Sequence, residues 1–114
     1  MAKIDYKSAG VDIKAGNEAV DRIKGQVKST FTSNVLTGLG SFGSLYDLKP
    51  ILKSYENPVM VQSIDGVGTK TIIARKLKKF DTIGVDLLSA CSNDILVMGA
   101  RPLTFLDYIA NDRL

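Results

Sequence analysis

The sequence contains no histidine and no tryptophan, and Cys91 is the single cysteine among its 114 residues. Without histidine there can be no Ser-His-Asp triad, no Cys-His pair and no imidazole ligand for a metal ion. One cysteine forms neither an internal disulfide nor a Cys-x-x-Cys site. These absences leave carboxylates, amides, lysines and backbone groups as the candidate functional groups.

Long apolar runs and a strong net charge are also missing. No run approaches the roughly 18 apolar residues of a membrane span, and the first ten residues lack the apolar core of a signal peptide. The formal net charge is only +3, and the basic cluster at residues 75–79 is typical of a cationic helix end. We therefore expect a cytoplasmic globular protein that binds neither membranes nor nucleic acids.

The apolar pattern predicts three helices and three strands. Spacings of three and four residues predict helices over 17–31, 69–79 and 83–98. Short β-branched or alternating runs predict strands over 45–48, 59–64 and 103–110. This order favours an α/β or α+β fold, in which helices pack on a mixed sheet.

The predicted helix 83–98 is apolar on most faces, which is typical of a buried helix. Asp86, Asn93 and Asp94 nevertheless share one side of it. Buried carboxylates are costly unless they are paired or bind a cation. Two interpretations stay open: a cation site, or structural pairing with an arginine or with backbone N–H groups. Cys91 is expected simply to pack as a small apolar residue.

Residues 65–70, with the sequence DGVGTK, follow a predicted strand and open a predicted helix. They do not fit the P-loop pattern. A helix start nevertheless favours an anion, and Lys70 in its first turn is opposed by the helix dipole, which favours a phosphate ligand. Asp65 is the type of residue that binds Mg²⁺ beside phosphate. The alternative is an ordinary Asp-Gly turn in which Thr69 caps the helix.

Residues 38–43 fit the pattern G-x-G-x-x-G. A dinucleotide fingerprint requires a helix directly afterwards, and Pro50 leaves little room for one. Two interpretations remain. The segment is a flexible turn before a strand, or it is a glycine flap whose backbone N–H groups, at Gly40 and Gly43, approach phosphate.

Taken together, these motifs resemble the phosphoribosylformylglycinamidine cyclo-ligase family, also called aminoimidazole ribonucleotide synthetases. The likeness begins near Tyr6 and runs to the last residue. Ser41 departs mildly from the family, whose members often have glycine there. The stretches that carry the resemblance are residues 6–13, 15–17, the glycines at 38, 40 and 43, and residues 65–70, 81–87, 93–102 and 105–108.

The resemblance implies an ATP-dependent ligase of purine biosynthesis that closes the imidazole ring of aminoimidazole ribonucleotide. Residues 93–102 also resemble a wider superfamily of ATP-binding proteins, whose matching acids hold Mg²⁺ and the ATP phosphates. By this resemblance, the metal ligands are Asp65, Asp94 and Asn93, and the catalytic residues are Lys70 and Asp94. The implied nucleotide- and phosphate-binding residues are Gly40, Gly43, Gly66, Gly68, Thr69 and Lys70.

Members of this family are longer than the present chain and have a second domain. The resemblance therefore implies a fragment, inactive alone, with an N-terminal arm (residues 1–14), a truncated ATP-binding domain (residues 15–114) and no C-terminal domain. It also implies a homodimer that completes the sheet edges. The alternatives are a related kinase or selenophosphate synthetase, or a non-catalytic dimerising nucleotide-binding module. A selenophosphate synthetase normally carries a reactive cysteine near its N-terminus, which is missing here.

Overall fold

The computed structural model describes residue 6 and residues 10–108. The chain divides into two compact units, Met1–Pro58 with Ile109–Leu114, and Val59–Tyr108. The helices are α1 (Ile13–Ser29), α2 (Lys49–Leu52), α3 (Lys70–Leu77) and α4 (Ile83–Val97). Within the described ranges, none of them combines the length and apolarity that crossing a membrane requires.

Helix α1 begins earlier than its apolar spacing predicted. The Asp12 carboxylate accepts hydrogen bonds from the N–H groups of Lys14 and Ala15, each at 3.1 Å. Because this cap satisfies the first free amides, the helix starts at Ile13, four residues before the predicted start at residue 17. Residues 13 and 14, assigned from the sequence to the N-terminal arm, are thus helical, whereas residues 1–5 and 7–9 lie outside the described part.

The glycine-rich stretch 38–43 is closed at its base by a short antiparallel contact. Val35 and Tyr46 form an isolated β-bridge, and the Leu36 N–H donates to the Leu45 carbonyl oxygen at 2.8 Å. The strand predicted over 45–48 is therefore reduced to this single bridge. The four-residue helix α2 follows it.

Helices α3 and α4 lie close to their predicted bounds, and both end on a left-handed residue. The backbone φ angle is +52° at Lys78 and +73° at Gly99. Beyond each of these residues, an N–H group reaches back to the last turn: Lys79 to the Ala74 carbonyl at 3.0 Å, and Ala100 to the Ile95 carbonyl at 3.1 Å. This is the Schellman arrangement. Gly99 fits the left-handed position without strain, but Lys78 does not.

The predicted mixed sheet is wrong. Among the described residues, the bridge of Val35 with Tyr46 is the one β pairing. Residues 59–64 and 103–108 carry no strand, and none of their backbone groups is hydrogen-bonded to the backbone of another described residue. Residues 109–110 of the last predicted strand lie outside the described part. β-Branched composition favours an extended chain, but a strand also requires a neighbour to pair with, and the described residues supply none. For the same reason, the described residues contain no sheet edge of the kind that a dimer was expected to complete.

The expected burial of α4 is also wrong. Cys91 is its one buried residue, at 9% exposure, and Ala74 of α3 is the other buried apolar residue among those described. Helix α3 is the described helix that contacts α4. Because it covers a single side, Val85 and Val97 on other sides remain 67% and 85% exposed.

Replacing Lys78 with glycine should stabilise the protein by about 1 kcal/mol, because glycine adopts the left-handed conformation at the end of α3 without a Cβ clash. Equilibrium urea denaturation, followed by circular dichroism, measures the change. Lys76→Gly, inside α3, is the matched control and should destabilise by about 1 kcal/mol. Loss of stability in Lys78→Gly would contradict this account of the helix end.

Candidate functional site

The segment 63–70 runs antiparallel along α4. Successive residues of the segment contact α4 in reverse order, from its last turns to its first turn. This places the DGVGTK loop beside the helix that carries the predicted acidic residues. The contacts, in chain order, are Ser63 Oγ to Asp94 Oδ2 at 2.9 Å, Cys91 Sγ to the Asp65 carbonyl oxygen at 3.8 Å, and Lys70 Nζ to Asp86 Oδ1 at 2.6 Å.

Lys70 and Asp86 form the ion pair that joins α3 to α4. The two side chains are 64% and 32% exposed. Asp86 lies in the first turn of α4, where the helix dipole favours an acid, and its charge offsets the unfavourable position of Lys70 at the start of α3. The ion pair with Asp86 therefore explains why a lysine is tolerated at the start of α3. The sequence pattern did not reveal this pairing, because nothing local links residues 70 and 86.

Asp65 opens the loop and is exposed. Its Oδ1 accepts the N–H of Gly66 at 2.7 Å, while its Oδ2 has no hydrogen bond among the described residues. Thr69 occupies the cap position of α3 but makes no side-chain cap bond, so the Thr69-capped turn is not formed. The N–H groups of residues 67–70 likewise have no recorded partner in the described chain. The loop thus presents unpaired amides next to a carboxylate.

Asp94 and Asn93 are exposed near the end of α4. Neither an arginine nor a backbone N–H pairs with Asp94 in the described chain; its partner is the Ser63 hydroxyl. Its second oxygen, Oδ1, has no hydrogen bond there. Ser63 was not singled out from the sequence, since 31 residues separate it from Asp94.

The donor set matches Mg²⁺ held together with phosphate, and not an ion held by protein alone. No group of three or more His, Cys, Asp or Glu residues suited to a metal occurs among the described residues. Mg²⁺, however, usually takes one or two carboxylates and completes its shell with water and phosphate oxygens. Asp65 and Asp94 each keep one carboxylate oxygen without a hydrogen bond, and the Ser63 contact joins the chain segments that carry them.

The predicted glycine flap belongs to the other unit of the chain. Gly40 has a φ of +97°, in the left-handed region that glycine readily adopts, whereas Gly43 has an ordinary φ. Beside the loop is a cleft of about 300 Å³, lined in part by Lys24 and Lys28. Because only a β-bridge and the short helix α2 follow, the loop lacks the strand-to-helix setting of a dinucleotide fingerprint.

Comparison with known proteins identifies the family. The chain belongs to the family described as AIR synthase related protein, N-terminal domain, whose model matches residues 48–113. This confirms the resemblance inferred from the motifs.

Three relatives show which enzymes of this family the chain resembles. The chain is 54% identical over 109 residues to a phosphoribosylformylglycinamidine cyclo-ligase of Brevibacillus brevis, covering 96% of this chain and 31% of that protein. It is 52% identical over 114 residues to the cyclo-ligase of Carboxydothermus hydrogenoformans, covering 100% and 33%. It is also 54% identical over 111 residues to the trifunctional purine biosynthetic protein adenosine-3 of Chironomus tentans, covering 97% of this chain and 8% of that protein. The chain thus spans about a third of the length of the two cyclo-ligases.

Proposed function

We propose that this chain is the N-terminal, nucleotide-handling part of an ATP-dependent cyclo-ligase that converts formylglycinamidine ribonucleotide to aminoimidazole ribonucleotide in purine biosynthesis, in the cytoplasm. The observation that carries the proposal is identity above one half, over nearly the whole chain, to enzymes named for this reaction. The activity is assigned to the whole protein and not to the fragment, since those relatives are about three times as long.

The proposed reaction activates an amide oxygen and then closes a ring. ATP transfers its terminal phosphoryl group to the formyl oxygen, which becomes a leaving group. The amidine-side nitrogen attacks the formyl carbon, the C–O bond breaks, and ADP and inorganic phosphate are released. Bound Mg²⁺ would neutralise part of the phosphate charge. Such catalysis depends on positioning and electrostatics, so it is compatible with a chain without histidine.

The free carboxylate oxygens of Asp65 and Asp94 are the proposed Mg²⁺ ligands, and Asn93 offers an amide oxygen beside them. The unpaired amides after Gly66, including those of Gly68 and Thr69, are the proposed phosphate donors in the second unit. In the first unit, the amides of Gly40 and Gly43 are proposed to serve the same purpose.

Lys70 is the proposed cation for the transferred phosphoryl group. Its ammonium has three N–H donors, and one of them is used by Asp86 at 2.6 Å. Because the side chain is 64% exposed, the other two remain accessible to phosphate oxygens. Asp86 thus holds the ammonium through one N–H donor and leaves the other two.

Asp94→Asn in the full-length protein should abolish cyclisation while the fold survives. Asp94 is exposed, and the asparagine amide oxygen can still accept from Ser63, so the loss of stability should stay below about 1 kcal/mol. Thermal melting with and without Mg-ATP, together with turnover, measures both effects. Asp81→Asn, which removes an exposed acid beside Lys79, is the control and should leave activity unchanged. An Asp94→Asn protein that is unfolded, or that turns over normally, would refute the metal role.

Lys70→Ala should lower kcat, or the affinity for ATP, by about 10²-fold or more, the usual loss on removing one stabilising donor. Stability should change by less than about 1 kcal/mol, because the ion pair is largely exposed. Steady-state kinetics over a range of ATP concentrations is the measurement. Lys79→Ala, which breaks the 3.3 Å ion pair with Asp81, is the matched control. Wild-type kcat and KM in Lys70→Ala would remove Lys70 from the mechanism.

A homodimer is the proposed assembly, formed through exposed apolar side chains and not through sheet edges. Val59 and Met60 are 86% and 74% exposed, and Leu106 and Tyr108 are 76% and 89% exposed. Apolar groups exposed in this way favour association. Light scattering at tens of micromolar, where mass action favours the assembly, should give at least twice the monomer mass. A single monomeric species would overturn this proposal.

A further inference from the structure

We infer that Ser63 is a positioning residue for Asp94, acting through the hydrogen bond that its hydroxyl donates to Oδ2. The inference rests on the proposed function, because it takes Asp94 as the Mg²⁺ ligand. Ser63 itself touches neither metal nor nucleotide in this account. It fixes which oxygen of the carboxylate is left for the cation.

Asp94 has few hydrogen bonds that could fix its orientation. The carboxylate is exposed, and the Ser63 hydroxyl, at 2.9 Å, is its one partner among the described residues. An exposed aspartate can otherwise rotate about both side-chain torsions. A hydroxyl-to-carboxylate bond is charge-assisted and stronger than a neutral one. Ser63 therefore reduces the rotational freedom of Asp94 and leaves Oδ1 as the oxygen without a partner.

Ser63 also restrains the position of Asp65 relative to Asp94. Ser63 precedes Asp65 by two residues in the segment beside α4, and the other nearby tie is the contact of Cys91 Sγ with the Asp65 carbonyl oxygen at 3.8 Å. A thiol is a weak donor, so this second tie holds the segment less firmly. The Ser63–Asp94 bond is therefore the stronger restraint on where Asp65 stands relative to Asp94.

A merely structural serine and a positioning serine predict different results. If the bond only stabilises the fold, its loss lowers the melting temperature and leaves metal affinity unchanged. If it orients a metal ligand, its loss weakens metal binding even where the fold is intact. Partners that orient metal ligands are typically worth 10–100-fold in metal affinity or activity.

The test uses the full-length protein with a non-hydrolysable ATP analogue, and Mn²⁺ as a paramagnetic replacement for Mg²⁺. Titration by electron paramagnetic resonance gives the Mn²⁺ dissociation constant independently of turnover. Ser63→Ala should weaken Mn²⁺ binding by 10–100-fold, and Ser63→Thr, which keeps the hydroxyl, should restore most of it. Ser92→Ala is the matched control, because that hydroxyl donates only to the Ser89 carbonyl oxygen within α4; it should bind as wild type.

The double variant Ser63→Ala with Asp94→Asn decides whether the effect passes through Asp94. If it does, Ser63→Ala adds no further loss in the Asp94→Asn background. Additive losses, or wild-type Mn²⁺ affinity in a folded Ser63→Ala protein, would overturn the inference. Ser63→Cys, close to serine in shape but a weak donor, provides the same test should the alanine variant fail to fold.

The outcomes also separate this inference from the proposed function. If Asp94→Asn loses Mn²⁺ while Ser63→Ala keeps it, only the positioning role of Ser63 fails. If Asp94→Asn binds Mn²⁺ as wild type, the metal role in the proposed function fails, and the positioning role fails with it.

Discussion

The geometry of the second unit depends on the contact between α4 and the segment 63–70. Along α4, the eight residue steps from Asp86 to Asp94 span about 12 Å. The seven residue steps from Ser63 to Lys70 could span about 23 Å if fully extended. Since both ends are tied to α4, the segment does not run fully extended along the helix. A turn lies at the start of α3, where the Thr71 N–H donates to the Gly68 carbonyl oxygen at 3.0 Å, and the N–H groups of residues 67–70 have no partner among the described residues.

A helix end or a strand can be predicted from the sequence only when the interactions that determine it are local. Helix α4 ends at Val97, one residue before its predicted end, and Gly99 just beyond it adopts a positive φ. Helix α1 starts at Ile13, four residues before its predicted start, because the Asp12 carboxylate caps it, and apolar spacing alone does not reveal that cap. The strand predictions were wrong because a strand must pair with a second segment of the chain. Composition at 59–64 describes just one of the two segments.

The candidate site also combines residues that the sequence predicted with pairings between distant residues that it did not predict. The sequence selected Asp65, Lys70 and Asp94 as residue types suited to phosphate and magnesium, and the structure brings their segments alongside one another. The position of Lys70 at a helix start also predicted a phosphate ligand, but in the structure the negative group that Lys70 contacts is the Asp86 carboxylate. The phosphate hypothesis therefore depends on the unpaired oxygens, the loop amides and the family relatives, and no longer on the position of Lys70.

The balance of forces explains why these polar contacts matter so much. Ala74 and Cys91 are the buried apolar residues of the described chain, and two small side chains contribute little hydrophobic stabilisation. An exposed ion pair contributes about 0.2–1 kcal/mol, and a hydrogen bond about 0.5–1.5 kcal/mol. The bonds that fix the loop against α4 are thus individually weak and are not reinforced by a core. Contacts of the same strength from a bound phosphate and cation would therefore be enough to determine the final geometry of residues 65–70. The groups through which such contacts would act are the carboxylate oxygens and loop amides that have no hydrogen bond among the described residues.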